Sequence, residues 1–210
     1  MCWLRLLVVT AVEAERAAVA RGLGDDAVVL AGGVGMAAAA ATTARALATD
    51  SYGLVLSAGI AGGFSGTAMG AAVLAARSVA ADLGAESPDG FLSLDALGFG
   101  VSTVETDAST LDLLRAALPE ATVGDVLTVS TVTGTAERAA ALRERYPLAV
   151  AEAMEGYGVA TAAALAGVAH AELRTVSNPV GPRDRASWRI PDALAALESC
   201  AARLAASLGP

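Results

Sequence analysis

Glu15, Glu155, Asn178 and Asp184 stand where apolar runs of this chain stop, and there their side chains are free for chemistry. In "VVTAVEAER" a run ends near Thr10, and Glu13 and Glu15 fall in the first turn of the helix that follows. Acids at that place complement the positive end of a helix. A carboxylate there can also orient a water and take its proton as it reacts. In "AEAMEGYGVA" Met154 and Glu155 follow the run 148–152 and open a small-residue helix. Glu155 either caps that helix or accepts hydrogen bonds from ligand hydroxyls. In "RTVSNPVGPRDRASW" Ser177, Asn178, Arg183, Asp184 and Trp188 crowd among prolines and a glycine. A primary amide offers two N–H donors, and a guanidinium suits a carboxylate. Pro179 and Pro182 lower the cost of ordering this loop over a ligand. The structural alternatives are an asparagine that closes a turn and an Arg–Asp surface pair.

Two glycine-rich stretches also follow strands. "LSAGIAGGFSG" carries Gly59, Ile60, Gly62 and Gly63. Such a loop lets the backbone pass close to a ligand and expose its N–H groups, or is simply flexible. "LAGGVGMAAA" holds Gly33-x-Gly35-x-x-Ala38. With Asp50 this is a weak dinucleotide fingerprint, but it sits on the second strand and Asp50 precedes the third. A tight strand-to-helix turn accounts for it better.

The elements that must position these residues follow from periodicity. Short apolar runs predict strands over 4–9, 27–31, 54–57, 72–77, 122–129, 148–152 and 171–176. Alanine-rich stretches predict helices over 13–21, 36–48, 108–117, 136–145, 156–166 and 192–207, with Thr135 as a cap. Residues 78–107 are less regular. This alternation predicts an α/β layer fold with a largely parallel sheet, in one domain spanning 1–210. In such sheets ligands gather beyond the carboxyl ends of the strands, where the candidates above fall.

Composition removes several classes. The net charge is −8 and there is no basic stripe, which argues against nucleic acid. All 14 basic residues are arginine, so a Schiff-base lysine and a Walker-type phosphate loop are excluded. The lone His170, a strand-edge residue, cannot build a histidine metal cluster, and no metal or cofactor is expected. Cys2 and Cys200 form no motif, which fits a reduced, cytoplasmic protein. Residues 51–76 carry no charge, yet their glycines read as a strand and a loop rather than a membrane span. The amino terminus lacks the marks of a signal peptide.

The ordered set "AVEAE", "GVGMAAAA", "SAGIAGG", "AMEGYGVA" and "RTVSN" resembles the purine nucleoside phosphorylase and methylthioadenosine nucleosidase superfamily over nearly the whole chain. Within it, "SNPVGPRD" followed by Trp188 looks most like the hypoxanthine-releasing nucleosidases of menaquinone biosynthesis. The resemblance implies a three-layer α/β/α fold around a mixed, partly barrel-like sheet. It implies a purine nucleoside substrate and a site completed at a subunit interface, usually of a homodimer. Glu15 matches the glutamate that holds the hydrolytic water. Met154 and Glu155 match residues that pack on and hydrogen-bond the ribose. Asn178 falls where the nucleosidases carry a catalytic aspartate, Trp188 where they carry an aromatic near the 5′ substituent, and Val132 where several carry a base-stacking phenylalanine. Two positions depart. Ala153 replaces the first glutamate of the family's "EME", with Glu152 one place off and on the other strand face. Ile60 replaces a serine.

The asparagine then has a chemical reading. A 6-oxopurine presents two neighbouring acceptors, O6 and N7, and one NH₂ group can address both. An adenine amino group facing the same NH₂ would go unmatched, at about 1–3 kcal/mol. Asp184 would orient Asn178 or accept from the base N1–H. Arg183 or Arg185 would meet an anionic group on the 5′ side. A phosphorylase must also hold phosphate, usually with several arginines, and none lies in "SAGIAGG". Hydrolysis needs only a carboxylate and water. An adenine nucleosidase, a phosphorylase, a dinucleotide enzyme and a non-catalytic nucleoside-binding module are the competing classes.

Overall fold

The computed structural model describes residues 5–208. The chain opens with β1 (Leu6–Thr10), α1 (Glu13–Leu23), a 3-10 turn, β2 (Ala27–Ala31) and α2 (Met36–Thr49). Next come β3 (Leu54–Gly63), β4 (Ala72–Ala80), β5 (Gly84–Ser87), β6 (Gly90–Ser93), α3 (Leu94–Leu97) and β7 (Thr103–Glu105). The remainder alternates through α4 (Ala108–Ala117), β8 (Thr122–Thr128), α5 (Ala136–Arg145), β9 (Ala149–Ala153), α6 (Gly156–Leu165), β10 (Ala169–Pro179) and α7 (Ile190–Leu208).

The main sheet runs β10-β4-β8-β9-β3-β1-β2, with β7 beside β4 and a further pairing of β10 with β3. That pairing closes β3, β10, β4, β8 and β9 into a ring, from which β1 and β2 extend. The long strand β3 makes this possible. One edge pairs with β10 along its whole length. The other edge pairs with β1 over Leu54–Ser57 and then with β9 at Gly62 and Gly63. The sheet is mixed, because β10–β4, β3–β9 and β4–β7 are antiparallel. Its centre is therefore partly barrel-like, and the largely parallel sheet expected from alternation holds only in part. Periodicity cannot see which strands meet across a closure.

Strand side chains alternate between faces, and so do the cores. Leu6 and Val8 join Val19, Leu114, Leu197 and Leu204 beneath α1, α4 and α7. Leu7 and Val9 join Val55, Ala39, Val159 and Ala163 beneath α2 and α6. A strand buried on both faces reads as an unbroken apolar run, as "LLVV" does. Each buried leucine or valine contributes about 1.5–3 kcal/mol. The ring interior is narrow and is filled by small residues, among them Ala61, Val73, Ala75, Val126, Ala151 and Ala153.

Most predicted elements lie within a few residues of the observed ones, and Thr135 caps α5 by accepting the Arg138 N–H at 3.1 Å. Two boundaries differ in a way that matters. The glycine stretch after 54–57 is strand, not loop, because β10 supplies its backbone partners as far as Gly63. β10 likewise runs on through Asn178, past a bulge between Val176 and Asn178. His170 is buried near the start of β10, opposite Val55, where the strand pairs with β3 and has not yet met β4. Among the described residues no helix is long and apolar enough to cross a membrane. Cys200 packs in the core, where burial pushes its thiol up to about 11; Cys2 lies outside the described residues.

Candidate active site

Glu15 turns back over the start of α1. Its Oε2 accepts the N–H groups of Ala11 at 2.9 Å and Val12 at 3.2 Å. Its Oε1 accepts the Ile60 N–H at 2.9 Å. Ile60 lies in the gap where β3 has left β1 and not yet met β9, so its N–H is free for a side chain. The neighbouring Glu13 is exposed and pairs with Arg16. The fold thus separates two acids that the sequence places two residues apart.

Glu155 sits between β9 and α6, buried. Its Oε1 accepts the Gly35 N–H at 3.2 Å, and its Oε2 accepts the Met154 N–H and Arg174 Nη1, both at 3.3 Å. Gly33 and Gly35 both have φ of 94°, which makes this the tight turn expected. Asp50 pairs instead with Arg5 at 2.7 Å on the surface, which takes the acid away from the dinucleotide reading.

Arg174, from β10, pairs with Glu155 and faces Glu15 across Gly59. It is 1% exposed. Its Nη2 donates to Ser57 Oγ at 3.1 Å and its Nε to Glu172 Oε1 at 2.9 Å. Burial works against its charge, but Glu172, Glu155 and Glu15 more than offset this and raise its pKa. Gly59 lies under the cluster: a Cβ there would fall 2.6 Å from Glu15 Oε1 and 2.8 Å from Arg174 Nη1. Glu15 and the Arg174–Glu155 pair thus face one another across Gly59, brought there by β1–α1, β3, β9–α6 and β10. Sequence reading gave no role to Arg174 or Glu172. The signal was present, since "ELR" puts two opposite charges on one face of an apolar strand.

Asn178 lies four residues further along β10, half-buried. Its Oδ1 accepts Ser177 Oγ at 2.8 Å, and its Nδ2 donates to the Pro179 carbonyl at 3.0 Å. The serine hydroxyl thus turns the amide nitrogen outward. Gly62 lies beneath, where a Cβ would be 3.3 Å from Nδ2. Asp184 is exposed and caps the short turn Arg185–Ser187 by accepting the Ala186 N–H at 3.2 Å. It makes no hydrogen bond to Asn178 here. Arg183 and Arg185 flank Trp188, their Cζ atoms 5.8 and 5.7 Å from the ring centre.

Glu152 faces away from the ring interior and fixes a neighbouring loop. It accepts the Thr133 N–H at 2.8 Å and the Thr133 hydroxyl. Burial raises its pKa, and Thr133 opposes this. Val132 beside it is 43% exposed, and the next carbonyl, Gly134, accepts the Arg183 N–H at 3.2 Å. The loop bearing Val132 and the loop bearing Asp184 are thereby tied together. Of the arginines near early strand ends, Arg77 is committed to Asp125, with Nε 2.8 Å from its carboxylate, and Arg5 to Asp50. A groove of about 1100 Å³ opens at the amino ends of β8 and β9, lined by Arg77, Asp125 and Arg143, away from this cluster.

Comparison with known proteins gives the family and the fold. A family model described as the phosphorylase superfamily matches residues 7–208, and the chain belongs to that superfamily. Within it the chain groups with futalosine hydrolases. That of Streptomyces coelicolor is 54% identical, covering 96% of this chain and 95% of its own. That of Acidothermus cellulolyticus is 48% identical, covering 97% and 91%, and that of Thermus thermophilus 38%, covering 90% and 86%. Among solved structures, the S-adenosylhomocysteine nucleosidase of Streptococcus pyogenes bound to 5-methylthiotubericidin has a TM-score of 0.85 at 18% identity, covering 97% of each chain. The methylthioadenosine/S-adenosylhomocysteine nucleosidase of Colwellia psychrerythraea bound to adenine has 0.82 at 19%, covering 98% and 96%. At those identities the likeness is one of fold.

Proposed function

We propose that this protein is a nucleosidase that hydrolyses the N-glycosidic bond of futalosine and releases hypoxanthine, in menaquinone biosynthesis. The observation that carries this reading is the buried Arg174–Glu155 pair facing Glu15 across Gly59 at strand ends, with the amide of Asn178 further along β10 over Gly62. The futalosine hydrolase relatives support the substrate.

In this mechanism the C1′–N9 bond breaks and its electron pair leaves with the purine. Glu155 accepts hydrogen bonds from the ribose hydroxyls, and Met154 packs against the sugar. Negative charge close to the ring stabilises its oxocarbenium-like state. Water held by Glu15 attacks C1′, and its proton passes to that carboxylate. Asn178 has no acidic proton. It donates hydrogen bonds to O6 and N7 after releasing Pro179, so the base leaves as an anion that solvent protonates. Asp184 acts at the same base edge, orienting Asn178 or accepting from the base N1–H. Gly59, Ile60 and Gly62 form the floor, and Val132 the base wall. Trp188 and Arg183 receive the aryl carboxylate on the 5′ side. The functional unit is one domain spanning 1–210, working in the cytoplasm as a homodimer.

Release of hypoxanthine from futalosine in phosphate-free buffer tests the reaction; a strict need for phosphate would refute hydrolysis. The nucleosidase folds above favour one second reading, cleavage of methylthioadenosine. Side-by-side turnover of the two nucleosides decides between them, and faster adenine release would favour the second.

A further inference from the structure

We propose that Glu172 is a positioning residue for this reaction: it clamps Arg174 so that the guanidinium holds Glu155, and faces Glu15 across Gly59, from one fixed orientation. The inference rests on the nucleosidase reading above.

Glu172 and Arg174 are two residues apart on β10, so both side chains leave the same face of an inner strand. Glu172 is buried, and so is every group it meets. Its Oε1 accepts Arg174 Nε, while its Oε2 accepts the hydroxyl of Ser78 on β4. On its remaining side it rests on Gly156, the residue that follows Glu155. A Cβ at Gly156 would fall 2.1 Å and 2.2 Å from the two carboxylate oxygens. Only glycine at the first position of α6 leaves room for this contact. One carboxylate therefore touches both the arginine of the site and the backbone that carries Glu155.

The geometry assigns each edge of the guanidinium to a different element. Nε goes to Glu172 on β10, Nη2 to Ser57 on β3, and Nη1 to Glu155 at the head of α6. An unpartnered buried N–H is costly. Without Glu172, Arg174 would turn towards the remaining carboxylates, Glu155 and Glu15. It would then draw them from the positions in which they meet ribose and water. Charged hydrogen bonds are directional, and a small displacement of reacting groups is felt in the chemical step. Glu172 contacts no substrate in this account. It acts through Arg174.

The test is steady-state hydrolysis of futalosine by the full-length protein and its variants. Glu172→Ala is expected to lose roughly ten- to a hundredfold in kcat with KM within about threefold, as for one misaligned charged hydrogen bond. Glu172→Gln, whose amide oxygen still accepts Nε–H, should recover most of that loss. Glu172→Ala combined with Arg174→Met should be no slower than Arg174→Met alone. Losses that multiply, or full kcat in folded Glu172→Ala, would overturn the proposal. Should Glu172→Ala not fold, Ser78→Ala releases the carboxylate without emptying the core. A several-fold fall in kcat with KM unchanged supports the clamp, and full activity refutes it. A wild-type protein that releases no hypoxanthine overturns the parent reading, and this one with it.

Discussion

The Glu15 carboxylate accepts the backbone N–H of Ile60 from across the sheet, 2.9 Å away, at the point where β3 passes from β1 to β9. This contact ties the start of α1 to the middle of β3. It also fixes one carboxylate oxygen, so the acid is pre-oriented before any ligand arrives. The side chain that would hold water is thus part of the joint on which the sheet closes.

Glu15→Gln separates these two roles. The amide oxygen can still accept the Ala11 and Val12 N–H groups, but the NH₂ then faces the Ile60 N–H and cannot take a proton. Hypoxanthine release should fall by roughly 10²- to 10⁴-fold, while the fold stays intact and loses only about the 1–3 kcal/mol of one unpaired N–H. A large loss of stability with kcat preserved per folded molecule would show that Glu15 is only a strut.

Asn178→Asp tests the leaving-group role. A carboxyl group can protonate N7 and accept from a 6-amino group, whereas the amide, held by Ser177, offers donors. The ratio of turnover on 6-oxopurine and 6-aminopurine nucleosides should move towards the latter by about ten- to a hundredfold. An unchanged ratio would mean that the base edge is read elsewhere.

Thr133→Val keeps volume but removes the hydroxyl that Glu152 accepts in a buried site. The expected cost is about 1–3 kcal/mol in urea denaturation. KM for futalosine should rise more than kcat falls, because the loop carrying Val132 loses its anchor. If stability drops and KM does not, the loop does not line the base pocket.

Acid should weaken the fold through His170. Burial lowers its pKa below the ordinary 6.5, with Asp107 partly opposing, and its Nε2 has no hydrogen-bond partner among the described residues. The folded chain keeps the ring neutral where the unfolded chain takes a proton. This contribution is therefore fully present above the unfolded value and is lost as pH falls below about 6.5. Between pH 7 and pH 5 the wild-type melting temperature should drop by more than that of His170→Gln. Parallel curves would remove the histidine from the account.

Much of this architecture was legible in the chain. The run over 4–9 predicted a strand, and "GGVG" predicted a tight turn. Glu155 was placed at a strand end with a carboxylate free to accept. The stretch after Ser57 is strand where a loop is expected, because glycine weakens strand propensity locally and only β10 reveals its pairing. Arg174 and Glu172 went unassigned because buried charges are interpretable only through their partners.

The sequence by itself determined the succession of elements, the chemical types at their ends and the absence of lysine chemistry, since periodicity and composition are properties of neighbouring residues. Tertiary structure decided that β3 meets β10 and β9 as well as β1, and that Glu15, Glu155 and Arg174 share one buried cluster. It also decided which acid of "AVEAE" turns inward and which stays in solvent. Those outcomes follow from closing a ring of strands in a medium where every polar group must find a partner, a condition set by residues far apart in the chain.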